Sequence, residues 1–275
     1  MFPTLIDFGT WNLPFFGETH LFLPTYGVLF AGAVLLAWWW FTRRARSSGL
    51  PDEQIFNLVF YTLLGGILGA KLLLIVIDWR FYLAQPFEIV GTLRSAGVLM
   101  GGVTCGALVF AWYARRCRLP LWHLADAMAA PLALAQGIGR LGCFAAGCCW
   151  GRPADPHSPL AVVFTNPLAA EQTGVSLNVP LFPVQLVQFA HDVLLAGVLT
   201  VCWRRRLRPD GTTFWIYVLV YSLGRGVIEL WRGDRQRGLH FGDLLSTSQI
   251  IALAGFVAAA LMLARGCVAR ARAAE

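Results

Sequence analysis

The sequence predicts an all-α integral membrane protein of seven transmembrane helices, with its N-terminus extracytoplasmic and its C-terminus cytoplasmic. Three observations predict it. The 275 residues are 57% hydrophobic and only 13% charged, with a mean hydropathy of +0.61, whereas a soluble domain carries about 25% charged residues. Seven segments hold the roughly 20 mostly apolar residues that a spanning helix needs. The basic residues cluster at the ends of those segments, mainly on one side.

The seven segments are Tyr26–Thr42, Ile55–Ile77, Ala96–Ala114, Leu124–Phe144, Pro183–Trp203, Thr213–Trp231 and Leu244–Ala264. Length alone allows one or two domains; the composition reduces this to a single polytopic domain over residues 1–275. Met1–Pro24 is broken by Pro3, Pro14 and Pro24 and reads as an interfacial lead-in. It lacks the basic start of a signal peptide. The longest connection, about Ala145–Phe182, is expected to form a small extracytoplasmic subdomain between the fourth and fifth helices. No internal repeat or low-complexity tract is evident.

Orientation follows from arginine. The net charge is +7, and 21 of the 22 basic residues are arginine. Arg43, Arg44 and Arg46 follow the first segment, and Arg115, Arg116 and Arg118 follow the third. Arg204, Arg205, Arg206 and Arg208 follow the fifth, and Arg265, Arg270 and Arg272 follow the seventh. These thirteen share one side, which the positive-inside rule makes cytoplasmic. The opposite side holds Arg80, Arg94, Arg152, Arg232, Arg235 and Arg237. Placement at helix ends reads as topology signalling rather than as a nucleic-acid surface.

Lys71, Arg140 and Arg225 lie inside apolar runs. A charge at mid-bilayer costs at least about 2.5–3.5 kcal/mol and usually marks a functional site. The bland readings are a snorkelling stem for Lys71 and interfacial anchors for the two arginines. Lys71 is taken as structural. Arg140 sits in GIGRLGCFAAGCCWGRP, residues Gly137–Pro153, with five glycines that let helices or a ligand approach closely. Arginine beside exposed backbone N–H groups suits a phosphate. Arg225 sits in YSLGRGVIELWRGDRQRG, where Tyr221, Arg225 and Glu229 share one helix face. Glu229 either neutralises Arg225 or orients it toward an anion. No cofactor is implied.

The seven cysteines are 105, 117, 143, 148, 149, 202 and 267. An odd count spread over apolar runs is not a disulfide scaffold. Cys143, Cys148 and Cys149 match no common zinc spacing, so the sequence gives no reason to place a metal there. They read as small buried side chains, with a Cys143–Cys148 disulfide as the other reading. His157 and His240 lie in connections near the two arginine motifs.

These motifs resemble a known family. GRLGCFAAGCCWGR resembles the signature of prolipoprotein diacylglyceryl transferases, commonly written G-R-x-G-N-F-x-N-x-E-x-x-G. LPTYGVLF at 23–30, GGILGAKLLLIVID, FPVQLVQ at 182–188 and YSLGRGVIELWR resemble further family motifs, so the resemblance spans most of the chain. It implies transfer of the diacylglyceryl group of phosphatidylglycerol to the lipobox cysteine of a preprolipoprotein, at a bacterial inner membrane, with a thioether formed and glycerol 1-phosphate released. Arg140 and Arg225 then hold the leaving phosphate. Tyr26, Tyr221, Cys143, Gly151 and Gln185 line the substrate site, and Glu229 orients Arg225.

The sequence departs from the family where Cys143, Ala146 and Cys148 replace the signature's asparagines and glutamate. A cysteine-rich signature occurs among members. Met100 stands where the family has histidine, and Phe182, Val187 and Gln188 replace histidine, tyrosine and glutamate. Met100 cannot act as a base. Either the arginines acidify the acceptor thiol, or His240 serves as base, or the acceptor differs. The alternative is therefore a paralogue acting on another anionic lipid or acceptor. A transporter is disfavoured, because its site would lie near the midplane between repeats.

Overall fold

The computed structural model describes residues 2–13, 17–92, 97–234, 238–240 and 245–274. Helices dominate, and each predicted segment coincides with one. They are α1 (Thr25–Arg46), α2 (Asp52–Ile77), short α3 (Trp79–Ala84) and α4 (Glu88–Gly91), and α5 (Leu99–Arg116). There follow α6 (Leu121–Ala146), short α7 (Pro167–Thr173), α8 (Val184–Arg204), α9 (Thr212–Ile228) and α10 (Thr247–Ala274). A 3-10 turn, Glu229–Trp231, extends α9.

Among the described residues five helices are long and apolar enough to cross a membrane: Thr25–Arg46, Asp52–Ile77, Val184–Arg204, Thr212–Trp231 and Thr247–Val268. The third and fourth predicted segments, α5 and α6, fall below that mark. In α5 the pair Arg115 and Arg116 ends an 18-residue helix. In α6 Asp126, Gln136 and Arg140 sit among alanines and glycines. Ala127, Ala129, Ala130 and Ala133 are fully buried. A helix enclosed by protein needs small residues more than apolar ones.

The lead-in is an antiparallel hairpin, which proline positions alone did not suggest. Strand β1 (Thr4–Leu13) pairs with β2 (Gly17–Pro24), from Thr4 opposite Pro24 to Leu13 opposite Gly17, with register shifts between Thr4 and Ile6 and between Asp7 and Thr10. Its threonine, isoleucine and aromatic content favours strand. Phe8, Trp11 and Phe22 point away from protein. Two smaller pairs complete the strand content among the described residues: β3 (Val162–Val163) with β4 (Pro180–Leu181), and β5 (Leu239–His240) with β6 (Leu245–Ser246).

The expected subdomain within Ala145–Phe182 has its own core. Phe164, Ala169, Val175 and Leu181 are buried together, with Phe144 and Trp150 packed against them. Asn166 caps α7 by accepting a hydrogen bond from Leu168 N, and Gly174 ends it in the left-handed region at φ 70°.

The chain divides into two compact units, residues 40–124 and residues 1–39 with 125–275. In the first, α2 and α5 pack backbone to backbone. A Cβ on Gly69 would lie 2.3 Å from Cys105 Cβ, and one on Gly101 would lie 2.3 Å from Gly69 O. Lys71 donates to the Thr92 carbonyl, consistent with a structural role.

In the second unit α8, α9 and α10 pack in sequence order. The N-terminus of α9 is capped from another helix. Buried Asp126 of α6 accepts from Gly211 N through Oδ2 and from Phe214 N through Oδ1, both at 2.7 Å. A carboxylate there satisfies two of the orphan donors and suits the positive end of the helix dipole. It fixes α9, and so Arg225, against α6, and so Arg140.

Candidate anion-binding site

Three arginines line one narrow cavity. Arg140, Arg225 and Arg232 face it together with Cys149, Val184, Gln185 and Gln188. Arg140 comes from the last turns of α6 and Arg225 from the last turn of α9. Arg232 follows the 3-10 turn, so Arg225, Glu229 and Arg232 stand at i, i+4 and i+7 on one face. The sequence pairing of Arg140 with Arg225 is thus present in space. Arg232, read from sequence as part of an external basic cluster, is the third member.

The three guanidiniums are held differently. Arg225 Nη2 is 2.6 Å from Glu229 Oε2 and also donates to Ser248 Oγ at 3.2 Å. Glu229 is fully buried and lies 3.6 Å from Arg232 as well. Arg232 makes a two-pronged pair with Asp234, its Nε 2.8 Å from Oδ1. Among the described residues Arg140 has no hydrogen bond or ion pair. Gln185 Oε1 and Gln188 Oε1 are buried without hydrogen-bond partners. Two arginines are therefore pre-positioned by carboxylates, and the third keeps all its donors for a ligand.

The wall is built by backbone. Gln185 Nε2 donates to Cys148 O at 2.8 Å, tying α8 to the loop after α6. That loop is stitched to the segment after α9: Arg152 N donates to Trp231 O at 2.8 Å, and Gly233 N to Trp150 O at 3.0 Å. Gly151 sits in this seam, bridged to Arg232. A Cβ on Gly151 would lie 2.2 Å from Phe182 O. Gly151 therefore lets three chain segments meet behind Arg232, and its backbone rather than its side of the cavity is what the position supplies.

The other sequence candidates are near but not all on the cavity. The Tyr26 ring packs on Gly142, where a Cβ would lie 2.9 Å from Cδ2, and Tyr26 itself is half-exposed. Tyr221 stacks on Tyr217 at 5.7 Å, and Tyr217 donates to Gln136 at 2.8 Å. Cys143 lies with Cys148 and Cys149; all three thiols are free and half-buried, with their sulfurs within 4.8 Å of one another. Hydrogen bonds from Cys143 and Cys148, with the charges of Arg232 and Arg140, hold the Cys149 thiol below the ordinary range. His240 belongs to β5, and its side chain lies outside the described residues. Met100 opens α5 and is partly exposed.

Besides Arg232, the sequence reading missed Gln188 on the cavity and Asp192 behind it. Gln188 Nε2 donates to Asp192 Oδ1 at 2.8 Å, and His191 Nδ1 meets the same oxygen at 2.9 Å. Asp192 is fully buried in the middle of an apolar helix. The signal was there: Gln185, Gln188 and Asp192 follow the i, i+3, i+7 stripe of one helix face.

The comparisons with known proteins agree on one family. The sequence model of prolipoprotein diacylglyceryl transferases matches residues 16–265. A phosphatidylglycerol–prolipoprotein diacylglyceryl transferase of Clostridium tetani is 35% identical over 228 residues, covering 83% of this chain and 87% of that protein. A second protein of that name, from Clostridium perfringens, is 31% identical and covers 83% of this chain and 85% of its own. One from Aeromonas salmonicida is 32% identical, with 86% and 84% covered.

Proposed function

This chain belongs to the prolipoprotein diacylglyceryl transferase family, and from that premise we propose that it moves the diacylglyceryl group of phosphatidylglycerol onto the thiol of a lipobox cysteine in a preprolipoprotein. The observation that carries the reading is the three-arginine cavity, in which Arg140 keeps its donors free beside the carboxylate-fixed Arg225 and Arg232.

The chemistry asks for that arrangement. The acceptor thiol gives up its proton to water, and its sulfur forms a bond to the glyceryl carbon that bears the phosphate. The carbon–oxygen bond breaks, and its electron pair leaves with glycerol 1-phosphate. The leaving group gains negative charge, so fixed cationic donors stabilise it more in the transition state than in the bound lipid. Arg225 and Arg232 are held in place beforehand, and Arg140 closes on the phosphate. Gln185 and Gln188 offer unpartnered carbonyl oxygens to the glycerol hydroxyls.

The setting is a bacterial inner membrane. Seven spans place the thirteen clustered arginines on the cytoplasmic side, with α5 and α6 as the two less apolar spans. Arg140 and Arg225 then lie near the outer face, at the depth of a phospholipid headgroup.

The test uses purified protein in detergent micelles with phosphatidylglycerol carrying labelled acyl chains and a synthetic lipobox peptide. The label enters the peptide and is released by base, which cleaves the acyl esters and leaves an unlabelled glyceryl thioether on the cysteine. A peptide with serine in place of cysteine takes up none. Absence of peptide labelling by well-folded protein overturns the reading.

A further inference from the structure

The three cysteines next to the cavity are arranged for more than packing. Helix α6 ends in a reversal whose hydrogen bonds can be named. Gly147, at φ 79°, donates to Phe144 O at 3.3 Å, and Cys148 N donates to Cys143 O at 3.0 Å. That pattern brings the residue after the turn over the third residue from the helix end. In most helices the contact so formed is between apolar side chains; here it is Cys148 on Cys143. Cys149, itself at φ 58°, turns back toward the same point. The three sulfurs consequently lie within 4.8 Å of one another.

A disulfide needs two sulfurs and leaves the third without a role. Three convergent thiols match a different demand. A d10 cation such as Zn2+ binds thiolates at about 2.3 Å in tetrahedral geometry, and a site with three protein ligands keeps its fourth position open. Among the described residues no histidine or carboxylate joins the three sulfurs, so none of them fills the fourth position. Cys149 also lines the arginine cavity. The open position therefore adjoins the place where the transferred group is held.

We propose that Cys143, Cys148 and Cys149 form a three-thiolate site for Zn2+, whose open fourth position takes the acceptor thiol of the reaction proposed above. The part concerning the acceptor rests on that reading; the metal site does not. Coordination deprotonates a thiol outright, so the incoming cysteine sheds its proton to water as its sulfur binds the metal. The bound sulfur attacks the glyceryl carbon, the carbon–oxygen bond breaks, and the phosphate carries away the electron pair. The product thioether is neutral and a weaker ligand, so it leaves and the position reopens. The metal changes neither oxidation state nor count. This supplies the thiol activation that Met100 cannot.

The experiment uses the full-length reduced protein in detergent micelles and Cd2+ as a spectroscopic stand-in for Zn2+. One Cd2+ per chain is expected, with sulfur-to-cadmium charge-transfer absorption. Bound Cd2+ or Zn2+ should shield Cys143, Cys148 and Cys149 from alkylation, read by mass spectrometry, and leave Cys267 reactive. Cys143→Ser, Cys148→Ser and Cys149→Ser should each weaken binding by more than about tenfold, the smallest loss typical even of groups that merely orient ligands. Cys105→Ser and Cys202→Ser should not. Shielding in the unaltered protein keeps the test valid if a variant fails to fold. Adding lipobox peptide should raise the charge-transfer absorption, and the serine peptide should not.

Absence of saturable binding, unshielded cluster cysteines, or a disulfide between two of them in freshly isolated protein overturns the site. Binding that ignores the peptide overturns the acceptor role. Cd2+ binding without any lipid transfer would leave the site standing and count against the transferase reading. Full transfer by chelator-treated, metal-free protein would uphold the transferase reading and overturn the acceptor role of the metal.

Discussion

Replacing Arg140 with glutamine separates catalysis from folding more cleanly than any other change at the site. Arg140 lines the cavity yet makes no hydrogen bond or ion pair among the described residues. Its removal breaks no hydrogen bond or ion pair among the described residues. A half-buried, desolvated charge without a partner is a cost to the fold, so Arg140→Gln is expected to leave thermal stability unchanged or raise it slightly. The catalytic effect is opposite. Losing one charged donor aimed at a developing anion costs about 2.7–4 kcal/mol, or a hundred- to a thousandfold in kcat. A Coulomb estimate agrees: two charges at about 4 Å interact by about 4 kcal/mol at an effective dielectric of 20.

Arg225→Gln is the control. Its guanidinium neutralises fully buried Glu229 at 2.6 Å, and Arg232 lies farther from that carboxylate, at 3.6 Å. Removing one partner of a buried pair costs about 3–5 kcal/mol, so this variant loses stability as well as activity. Labelled-lipid transfer to a lipobox peptide, beside thermal unfolding in the same detergent, reads both. An Arg140→Gln protein within about threefold of the parent rate, or one as destabilised as Arg225→Gln, would refute the reasoning.

Three further changes probe the frame. Asp126→Ala leaves Gly211 N and Phe214 N without their 2.7 Å acceptor; at about 1.5–3 kcal/mol for a hydrogen bond to a charged group, thermal unfolding should fall markedly, while Asp126→Asn should recover part of the loss. Gly151→Ala drives a methyl to 2.2 Å from Phe182 O, so the seam behind Arg232 must open; overpacking of this kind costs about 1–3 kcal/mol, and the transfer rate should drop with it. Gly69→Val forces α2 from α5, because even a Cβ there lies 2.3 Å from Cys105 Cβ; limited proteolysis should cut the 40–124 unit faster, and an unchanged digest would argue against close glycine packing.

The helices were legible because each apolar run sits between arginine clusters or turn residues, and run length in a bilayer is fixed by its thickness. Their ends were less so. α1 runs on to Arg46 and α10 to Ala274 because basic residues that stop an apolar count do not stop a helix. The hairpin was missed because its strands are exposed and broken by register shifts, with no core face to impose a clean alternation. Arg140, Arg225 and Glu229 could be named from sequence, since a charge in an apolar run stands out, and Gln185 was named through the resemblance of FPVQLVQ to a family motif. Asp192 was legible by its i, i+4 spacing from Gln188, whereas the partners of Asp126, Gly211 N and Phe214 N, come from another helix and no local pattern announces them. Cys148 and Cys149 were dismissed on spacing, which assumes a metal loop; the clustering comes instead from the way Gly147 ends α6.

Gly147 also explains why the arginines and the cysteines belong to one place. A helix that ended without a left-handed residue would carry Cys148 and Cys149 onward, away from Cys143, and would leave no backbone carbonyl at Cys148 for Gln185 to fix. Through that reversal one loop supplies the Gln185 contact, the seam at Gly151 that seats Arg232, and the thiol nearest the cavity. At Gly147 a Cβ would lie 2.8 Å from the Ala169 Cβ in the subdomain core. The subdomain thus packs on the very residue that turns the chain. Its contribution to the site is indirect but specific: it holds the turn closed, and the turn sets Cys149, and the backbone that carries Arg232, beside Arg140.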